Sequence, residues 1–134
     1  MNGFGILISG PSGAGKSDLA LRLIDGGAKL VADDRVRLLK TKNGLKASAP
    51  EKIKGFLEIR GLGIVEMPFL DHSFIALKIA LRRAEKIKRM PEPAFEEVEG
   101  VSLPLLELDP SAPSAAARIK IALDVFSYKK GLVL

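Results

Sequence analysis

The chain has 134 residues, of which 47% are hydrophobic and 28% charged, a balance that predicts one folded domain over residues 1–134 and excludes a disordered chain. It contains no cysteine and one histidine, which excludes disulfides, thiolate nucleophiles and metal sites built from several cysteines or histidines. The 21 lysines and arginines against 16 acidic residues give a net charge of +5, which suits a phosphate-bearing ligand or an acidic partner. Because aromatic residues make up only 5% and the sequence has no membrane-length apolar run or secretory signal, we expect a cytoplasmic protein that binds neither nucleic acid nor membrane.

The first third of the chain predicts a strand, a glycine-rich loop, a helix and a second strand. Residues 4–9 form a short apolar run that is typical of a buried strand. Apolar residues recur at helical spacing over residues 16–25, and Gly26 follows them as a helix-terminating residue. Residues 30–32 are again apolar and predict the second strand. We therefore expect a βαβ unit with two parallel strands and a right-handed crossover.

The middle of the chain predicts mainly strands. Residues 36–40 indicate a strand, and the Asn43-Gly44 pair that follows them is a strong hairpin signal. Residues 56–65 predict a glycine-punctuated loop that runs into a strand. Residues 74–81 alternate between two faces, one of them wholly aliphatic, which predicts a half-buried strand.

The last third predicts an exposed segment, a strand and a helix. Residues 82–100 are first basic and then acidic, with prolines, so we expect an exposed excursion from the fold. Residues 101–108 predict a strand, which Pro104 places at a sheet edge. Ser114 can cap a helix over residues 115–126, whose apolar residues lie on one face.

The strongest functional signal is the segment from residue 10 to residue 17, which matches the phosphate-binding pattern G-x-x-x-x-G-K-[ST] between a predicted strand and helix. Glycines in this pattern let main-chain amides turn inward around a phosphate, and the positive end of the helix dipole points at the same anion. The lysine can reach the β- and γ-phosphates, and the serine hydroxyl can ligate Mg²⁺. The alternative is a glycine-rich turn with an exposed lysine. The predicted nucleotide-binding residues are Gly10, Pro11, Ser12, Gly13, Ala14, Gly15, Lys16 and Ser17.

Two adjacent aspartates, Asp33 and Asp34, directly follow the second predicted strand. In a βαβ unit the carboxyl ends of both strands meet at one sheet edge, so these acids should lie beside the phosphate loop. One carboxylate could hold Mg²⁺, and the other could accept a proton from an attacking hydroxyl. The alternative is a helix cap or a surface acid pair.

A third segment, residues 57–65, has the sequence Leu-Glu-Ile-Arg-Gly-Leu-Gly-Ile-Val, which taken alone could be a surface salt pair with a turn. Together with residues 10–17 and 31–36, it resembles the C-terminal P-loop catalytic domain of the HPr kinase/phosphorylase family. In that family a P-loop is followed by a Val-Ala-Asp-Asp-Arg strand end and by a Leu-Glu-Ile-Arg-Gly-x-Gly-Ile signature. The resemblance is clear over about the first 70 residues, and the length is similar to the short alphaproteobacterial form.

The resemblance implies an α/β fold, a P-loop-containing mixed sheet with flanking helices like that of HPr kinase and PEP carboxykinase. It implies an ATP-dependent serine protein kinase that phosphorylates an HPr-type phosphocarrier protein. It also implies the reverse reaction, in which inorganic phosphate removes the phosphoryl group and pyrophosphate is released. ATP and Mg²⁺ would be the cofactors, with Mg²⁺ held by Ser17 and Glu58. The family forms hexamers, so the resemblance implies a homo-oligomer.

The resemblance also gives roles to the remaining site residues. Lys16 would bind phosphate. Asp34 would accept the proton of the substrate serine, with Asp33 as the adjacent acid that could exchange roles with it. Arg60, in the signature loop, would stabilise the charge on the transferring group.

The sequence departs from the family pattern in three places. The family carries a histidine on a strand upstream of the P-loop, which this sequence lacks, so we expect a truncated chain or a protein that does without it. Residues 108–117 are rich in proline, serine and alanine where the family has a basic loop, which makes the kinase direction the firmer expectation. Arg89 is a candidate for a downstream catalytic arginine of the family, and the alternative is a solvated side chain in the basic run of residues 82–89. That run could also be a docking patch for a protein substrate.

Two other functions fit the same residues. A small-metabolite kinase also places an aspartate after the P-loop helix, although it usually adds an arginine-rich lid that this chain lacks. A regulator could bind the nucleotide without transferring a phosphoryl group. His72, which precedes a predicted strand, is expected in a turn and outside the site.

Overall fold

The computed structural model describes residues 3–127. In that part of the chain the strands and α-helices are β1 (Gly5–Ser9), α1 (Lys16–Asp25), β2 (Arg37–Thr41), β3 (Gly44–Ser48), β4 (Phe56–Ile59), β5 (Gly63–Glu66), β6 (His72–Leu81), β7 (Ala94–Val98), β8 (Val101–Leu108) and α2 (Ala115–Ser127). Two short 3-10 turns, Glu51–Ile53 and Ala84–Lys86, lie between strands. The chain therefore combines a largely β fold with two helices.

The ten-residue strand β6 organises a mixed six-stranded sheet. It pairs in parallel with β1 and with β8, and its first residues pair antiparallel with β3. Strands β2 and β7 extend the sheet through antiparallel pairing with β3 and β8, while β4 and β5 form a separate hairpin. Because β1, β6 and β8 run parallel, the loops that follow residues 9, 81 and 108 leave the sheet at the same edge.

The core lies where the sheet packs against both helices. Strand β6 alternates, so that Leu77, Ile79 and Leu81 lie on one face and are all buried. Each fully buried side chain of this kind contributes about 1.5–3 kcal/mol to folding, and the cluster therefore fixes both helices on the sheet. Its buried members from the helices and β8 are Leu19, Leu23, Leu108, Ala115, Ile119, Ala122 and Leu123.

Helix α1 is bounded by glycines at both ends. Gly15 precedes it with φ at 99°, a left-handed conformation that favours glycine. At the other end the Gly26 amide donates to the carbonyls of Arg22 and Leu23, and the chain turns away. The predicted helix over residues 16–25 is therefore confirmed. Neither helix in residues 3–127 is long and apolar enough to cross a membrane.

The predicted second strand at residues 30–32 does not form, and the βαβ prediction is wrong. Leu30 makes only an isolated bridge to Phe69. Its amide donates to the carbonyl of Pro68, and its carbonyl accepts from the amide of Leu70. Three apolar residues are too few to build a strand ladder, since strands in proteins usually have about 5–6 residues. The parallel partner of β1 is instead β6, a strand far along the sequence.

Three other predictions are corrected by the sheet. Residues 56–65 form the β4–β5 hairpin and not mainly a loop. Residues 94–98, within the predicted excursion, form β7 and join the sheet. Strand β8 lies inside the sheet although it contains Pro104. Pro104 precedes Leu105, the first residue of β8 that pairs with β6, so its missing amide leaves that ladder intact.

The remaining predicted elements are confirmed within one or two residues at most ends. They are the strand at 4–9, the strand and hairpin turn over 36–44, the strand at 74–81 and the helix at 115–126.

Candidate active site

Residues 10–15, between β1 and α1, form a tight loop at the carboxyl edge of the sheet. Gly13 and Gly15 adopt positive φ angles of 79° and 99°, which glycine accepts without a steric cost. A Cβ atom added at Gly10 would lie 3.2 Å from Cβ of Leu81, and one added at Gly15 would lie 3.3 Å from Cγ of Pro110. The loop is therefore held closely against the ends of β6 and β8, and side chains at these two glycines would displace it.

The first two residues of α1, Lys16 and Ser17, complete the loop. Lys16 Nζ donates to the carbonyl oxygen of Gly10 at 2.9 Å, so its side chain folds back across the loop. The Ala14 amide donates to the carbonyl of Pro11 at 3.1 Å and closes a turn inside it. The positive end of the helix dipole lies beside the lysine ammonium, and this combination favours the binding of an anion.

Asp33 joins two separate parts of the chain. Ser17 Oγ donates to its Oδ1 atom at 3.1 Å, and the Glu58 amide donates to its Oδ2 atom at 3.1 Å. One carboxylate thus holds the start of α1 and the β4–β5 hairpin together. The predicted proximity of Asp33 to the loop is correct, although a turn and not the end of a strand places it there.

The neighbouring Asp34 occupies a strained position. Its φ angle is 65°, in the left-handed region, which aspartate tolerates better than most residues. The Arg35 amide donates to the Asp33 carbonyl at 2.7 Å and closes the tight turn. As a result the two adjacent carboxylates have different surroundings, with Asp33 hydrogen-bonded and half-buried and Asp34 exposed.

A hollow of about 220 Å³ connects these groups. Its polar end is lined by Lys16, Ser17, Asp33 and Asp34, while the rest is lined mainly by aliphatic residues of β1, α1 and residues 28–36. A cation, a hydroxyl and two carboxylates therefore share one surface. This combination can bind an anion, hold a hard cation and accept a proton.

Glu58 and Arg60 lie on the β4–β5 hairpin and in its turn. Leu57, on the face of β4 opposite to Glu58, is completely buried and anchors β4. Strand alternation directs the Glu58 side chain away from the Leu57 side, and it is exposed. Arg60 is also exposed. The Glu58 amide thus contacts Asp33, while the hairpin exposes the Glu58 carboxylate and the Arg60 guanidinium to solvent beside the hollow.

The sequence-based predictions did not place a second set of residues beside the loop. Arg82, Arg83 and residues 109–111 line another hollow together with residues 11–14 of the loop. Asp109 and Pro110 directly follow β8, in the same way that Gly10 follows β1. Parallel pairing of β1, β6 and β8 is the signal that finds them, and it cannot be read from local sequence patterns.

His72 and Arg89 are not among the residues that line the two hollows. His72 is the exposed first residue of β6, with its ring 6.1 Å from that of Phe74. Leu81, at the loop end of the same strand, is nine residues away, which corresponds to about 30 Å. His72 therefore lies outside the site, as expected, although in a strand and not in a turn. Arg89 is exposed in the connection between β6 and β7.

The few oxygen donors near the loop suit Mg²⁺, which also takes ligands from water and substrate, better than they suit a metal ion whose ligands all come from the protein. Among the described residues no group of three or more histidines, cysteines, aspartates or glutamates could hold a metal ion. Mg²⁺ typically takes one or two protein oxygens and completes its octahedral shell with water and substrate phosphates. The Ser17 hydroxyl and the Asp33 carboxylate supply such oxygens 3.1 Å apart. The residues therefore fit this ion.

Residues 1–108 match the family model for the HPr serine kinase C-terminal domain. The chain belongs to this family. Among curated relatives, an HPr kinase/phosphorylase of Geobacillus thermodenitrificans (strain NG80-2) is 37% identical over 96% of this chain and 46% of its own length. One of Geobacillus sp. (strain WCH70) is 44% identical over 71% of this chain and 33% of its own length. The chain thus spans less than half the length of these relatives.

A solved structure supports the fold. The HPr(Ser) kinase/phosphatase from Coxiella burnetii superposes with a TM-score of 0.81 at 29% sequence identity, covering 94% of this chain and 89% of that one. This likeness confirms the predicted α/β fold with a mixed sheet and flanking helices. It also confirms the resemblance on which the site predictions depend.

Proposed function

We propose that residues 1–134 are one catalytic domain of an ATP-dependent serine protein kinase that phosphorylates an HPr-type phosphocarrier protein. The observation that carries this proposal is the bridge through Asp33, which joins Ser17 at the loop to the hairpin of Glu58. It brings the three sequence segments of the family resemblance to one place. The names of the relatives supply the substrate class, since they are HPr kinase/phosphorylases.

In this proposal the nucleotide phosphates lie in the loop of residues 10–15. Main-chain amides of the loop and of the first turn of α1 donate to phosphate oxygens. Lys16, which donates to a loop carbonyl in the described state, exchanges that partner for the phosphates. ATP is therefore held chiefly by main-chain dipoles and by the ammonium group of Lys16.

Mg²⁺ would be held by the Ser17 hydroxyl and the carboxylate of Glu58, with Asp33 as a further oxygen donor that already accepts from Ser17. When bound, the ion neutralises charge on the β- and γ-phosphates during transfer. Asp33 orients the Ser17 hydroxyl by accepting its hydrogen bond. The lone pairs of the hydroxyl oxygen are then free to face a cation.

The transfer step uses Asp34. Its carboxylate accepts the proton of the substrate serine while the serine oxygen forms a bond to the γ-phosphorus and the bond from that phosphorus to the ADP oxygen breaks. The exposure of Asp34 suits a group that must meet a protein substrate. Arg60, on the hairpin, stabilises the charge on the phosphoryl group as it moves. In the reverse direction inorganic phosphate attacks phosphoserine, Asp34 returns the proton, and pyrophosphate leaves.

The exposed basic run at residues 82–89 suits docking of the protein substrate. Its arginines and lysines are exposed and continue the carboxyl edge of the sheet where the loop lies. Charge complementarity of this kind mainly raises the rate of association. From the family resemblance we also propose that the protein is cytoplasmic and forms a homo-oligomer. Light scattering of the purified protein tests the oligomeric state.

The proposal is tested by mixing the purified chain with labelled ATP, Mg²⁺ and HPr, in parallel with shikimate, sugars and nucleotides as acceptors. We expect label only on HPr, and no label when the target serine is replaced by alanine. Transfer to a metabolite, or ATP binding without any transfer, would replace the proposal by one of its two alternatives.

A variant tests the role of Asp34. The substitution Asp34→Asn removes the proton acceptor but keeps the backbone, because asparagine also tolerates a positive φ. We expect transfer to fall by about 10²–10⁴-fold while ATP affinity is retained. The matched control is Asp25→Asn, an exposed aspartate at the end of α1. Equal turnover in both variants would remove Asp34 from the mechanism.

A further inference from the structure

A second hollow borders the loop on the side where β6 and β8 end. Residues 11–14 of the loop form one side of it, and residues 81–83 and 109–111 form the other. The sheet register explains this arrangement. Ser9 pairs with Ala80, and Ala80 pairs with Glu107, so the chain leaves β1, β6 and β8 at almost the same level.

Asp109 ties the two turns of this second hollow together. Its Oδ2 atom accepts from the Ala84 amide at 3.0 Å, which belongs to the turn after β6. Its Oδ1 atom accepts from the Ser111 amide at 2.9 Å and from Ser111 Oγ at 2.6 Å. Both carboxylate oxygens are therefore occupied by hydrogen bonds, and the aspartate fixes the main chain next to Arg83.

The two arginines at the end of β6 differ in their partners. Arg82 Nη1 lies 2.6 Å from Glu107 Oε2, and its side chain is thereby committed to a neighbour on β8. Arg83 has only a weak contact, 3.9 Å to Glu85, and its side chain is 82% exposed. Within residues 3–127 this long contact is its one ion pair, and the guanidinium is a cation that borders the phosphate-binding loop.

The charge around this hollow favours an anion. Among the residues that line it, Asp109 is the only acid, and its oxygens are already used by three donors. The other lining residues are loop residues 11–14, Leu81, Arg82, Arg83, Pro110 and Ser111. An exposed guanidinium at such a site forms strong, charge-assisted hydrogen bonds to phosphate oxygens.

We propose that Arg83 binds the phosphate chain of the nucleotide from the second hollow, and that Asp109 is a positioning residue that holds the turn carrying Arg83 against the loop. This inference rests on the proposed function, because it requires that the loop bind ATP. It adds a nucleotide-binding residue outside the three sequence segments of the family resemblance. It also gives residues 109–111 a purpose that their sequence does not suggest.

The first experiment measures ATP affinity by isothermal titration calorimetry in the presence of Mg²⁺ and without HPr. We expect Arg83→Gln to weaken binding about tenfold and Arg83→Lys to weaken it less, because lysine keeps the charge but not the planar fork. The control Arg37→Gln removes the same charge from an exposed site on β2 and should leave the affinity unchanged.

The outcomes separate the two proposals. If the wild-type chain binds no ATP, the proposed function fails. If the wild type binds ATP and Arg83→Gln binds it equally well, only the inference about Arg83 is wrong. An equal loss in Arg37→Gln would show a general effect of net charge and would also contradict it.

The second experiment tests whether Asp109 acts through Arg83. We expect Asp109→Asn to weaken ATP binding severalfold and the double variant Asp109→Asn/Arg83→Gln to bind no worse than Arg83→Gln alone. Additive losses in the double variant would show that Asp109 acts independently of Arg83 and would overturn the positioning role.

Discussion

Two aspartates border the loop of residues 10–17 from different hollows, and they differ in what they connect. Asp33 accepts from the side chain of Ser17 and from the amide of Glu58, so it contacts a residue proposed to hold Mg²⁺. Asp109 accepts from Ala84 and Ser111, and none of its hydrogen bonds reaches the loop. The first aspartate therefore acts directly on the proposed chemistry, whereas the second acts only through the chain that it positions.

This difference predicts different consequences when each aspartate is removed. Loss of Asp33 frees the Ser17 hydroxyl and leaves the Glu58 amide without its acceptor, so both the loop and the hairpin should change. Loss of Asp109 releases the turn after β6 and leaves the hairpin untouched.

The largest effect is expected from Lys16→Ala, which acts on the loop that both hollows share. Removing the ammonium should weaken ATP binding by at least about a hundredfold, because this cation faces the most highly charged part of the ligand. Calorimetry or nucleotide-dependent thermal stabilisation measures the loss. Lys42→Ala, in the exposed turn between β2 and β3, is the matched control. A Lys16→Ala protein that ATP still stabilises would show that the loop is not the phosphate site.

The comparison between the aspartates is measured directly with Asp33→Ala and Asp109→Ala. We expect Asp33→Ala to weaken Mg²⁺-dependent ATP binding about tenfold and to speed amide hydrogen exchange in the hairpin at residues 56–66. Asp109→Ala should leave exchange in that hairpin unchanged and raise it at residues 82–86. Mass spectrometry of exchange in the nucleotide-free protein distinguishes the two patterns.

Asp25→Ala serves as the control for the loss of one carboxylate, since Asp25 is exposed at the end of α1. If Asp33→Ala and Asp109→Ala gave the same exchange pattern, the two aspartates would not act on separate parts of the chain.

The residues of the first hollow could be predicted from sequence because they depend on local patterns. Lys16 and Ser17 belong to one short motif, and Asp33 follows within sixteen residues of Ser17. The predicted pairing of residues 30–32 with β1 was wrong, yet the predicted position of Asp33 beside the loop was correct. A short connection after α1 leaves few places for Asp33 other than beside the loop, whether or not residues 30–32 form a strand.

The residues of the second hollow could not be predicted because they depend on distant pairing. Asp109 lies next to the loop only because β8 pairs with β6 and β6 pairs with β1. Parallel strands are joined by long connections, so no local sequence pattern shows which of them pair. For the same reason the sequence pattern placed residues 94–98 outside the fold, whereas β8 was placed at an edge because it contains Pro104.

The smallest effect concerns the hydrogen bonds of Asp109 itself. The pKa of Asp109 lies below its ordinary value of 3.8 because the Ser111 hydroxyl, the Ser111 amide and the Ala84 amide all donate to the charged carboxylate. The hydroxyl has the largest effect, so Ser111→Ala should raise the pKa of Asp109 towards 3.8 without restoring it fully. NMR titration of the aspartate carboxyl carbons measures the change, with Ser102→Ala on β8 as a control.

The same bonds predict how stability varies with pH. Since the pKa of Asp109 is lower in the folded chain than in the unfolded one, its stabilising effect is present above pH 3.8 and is lost as the pH falls through the folded value. The stability difference between wild type and Ser111→Ala should therefore be constant near neutral pH and shrink in acid. A difference that grows in acid would mean that the hydroxyl binds the protonated carboxyl better, and Asp109 would then not hold the second hollow as a charged acceptor.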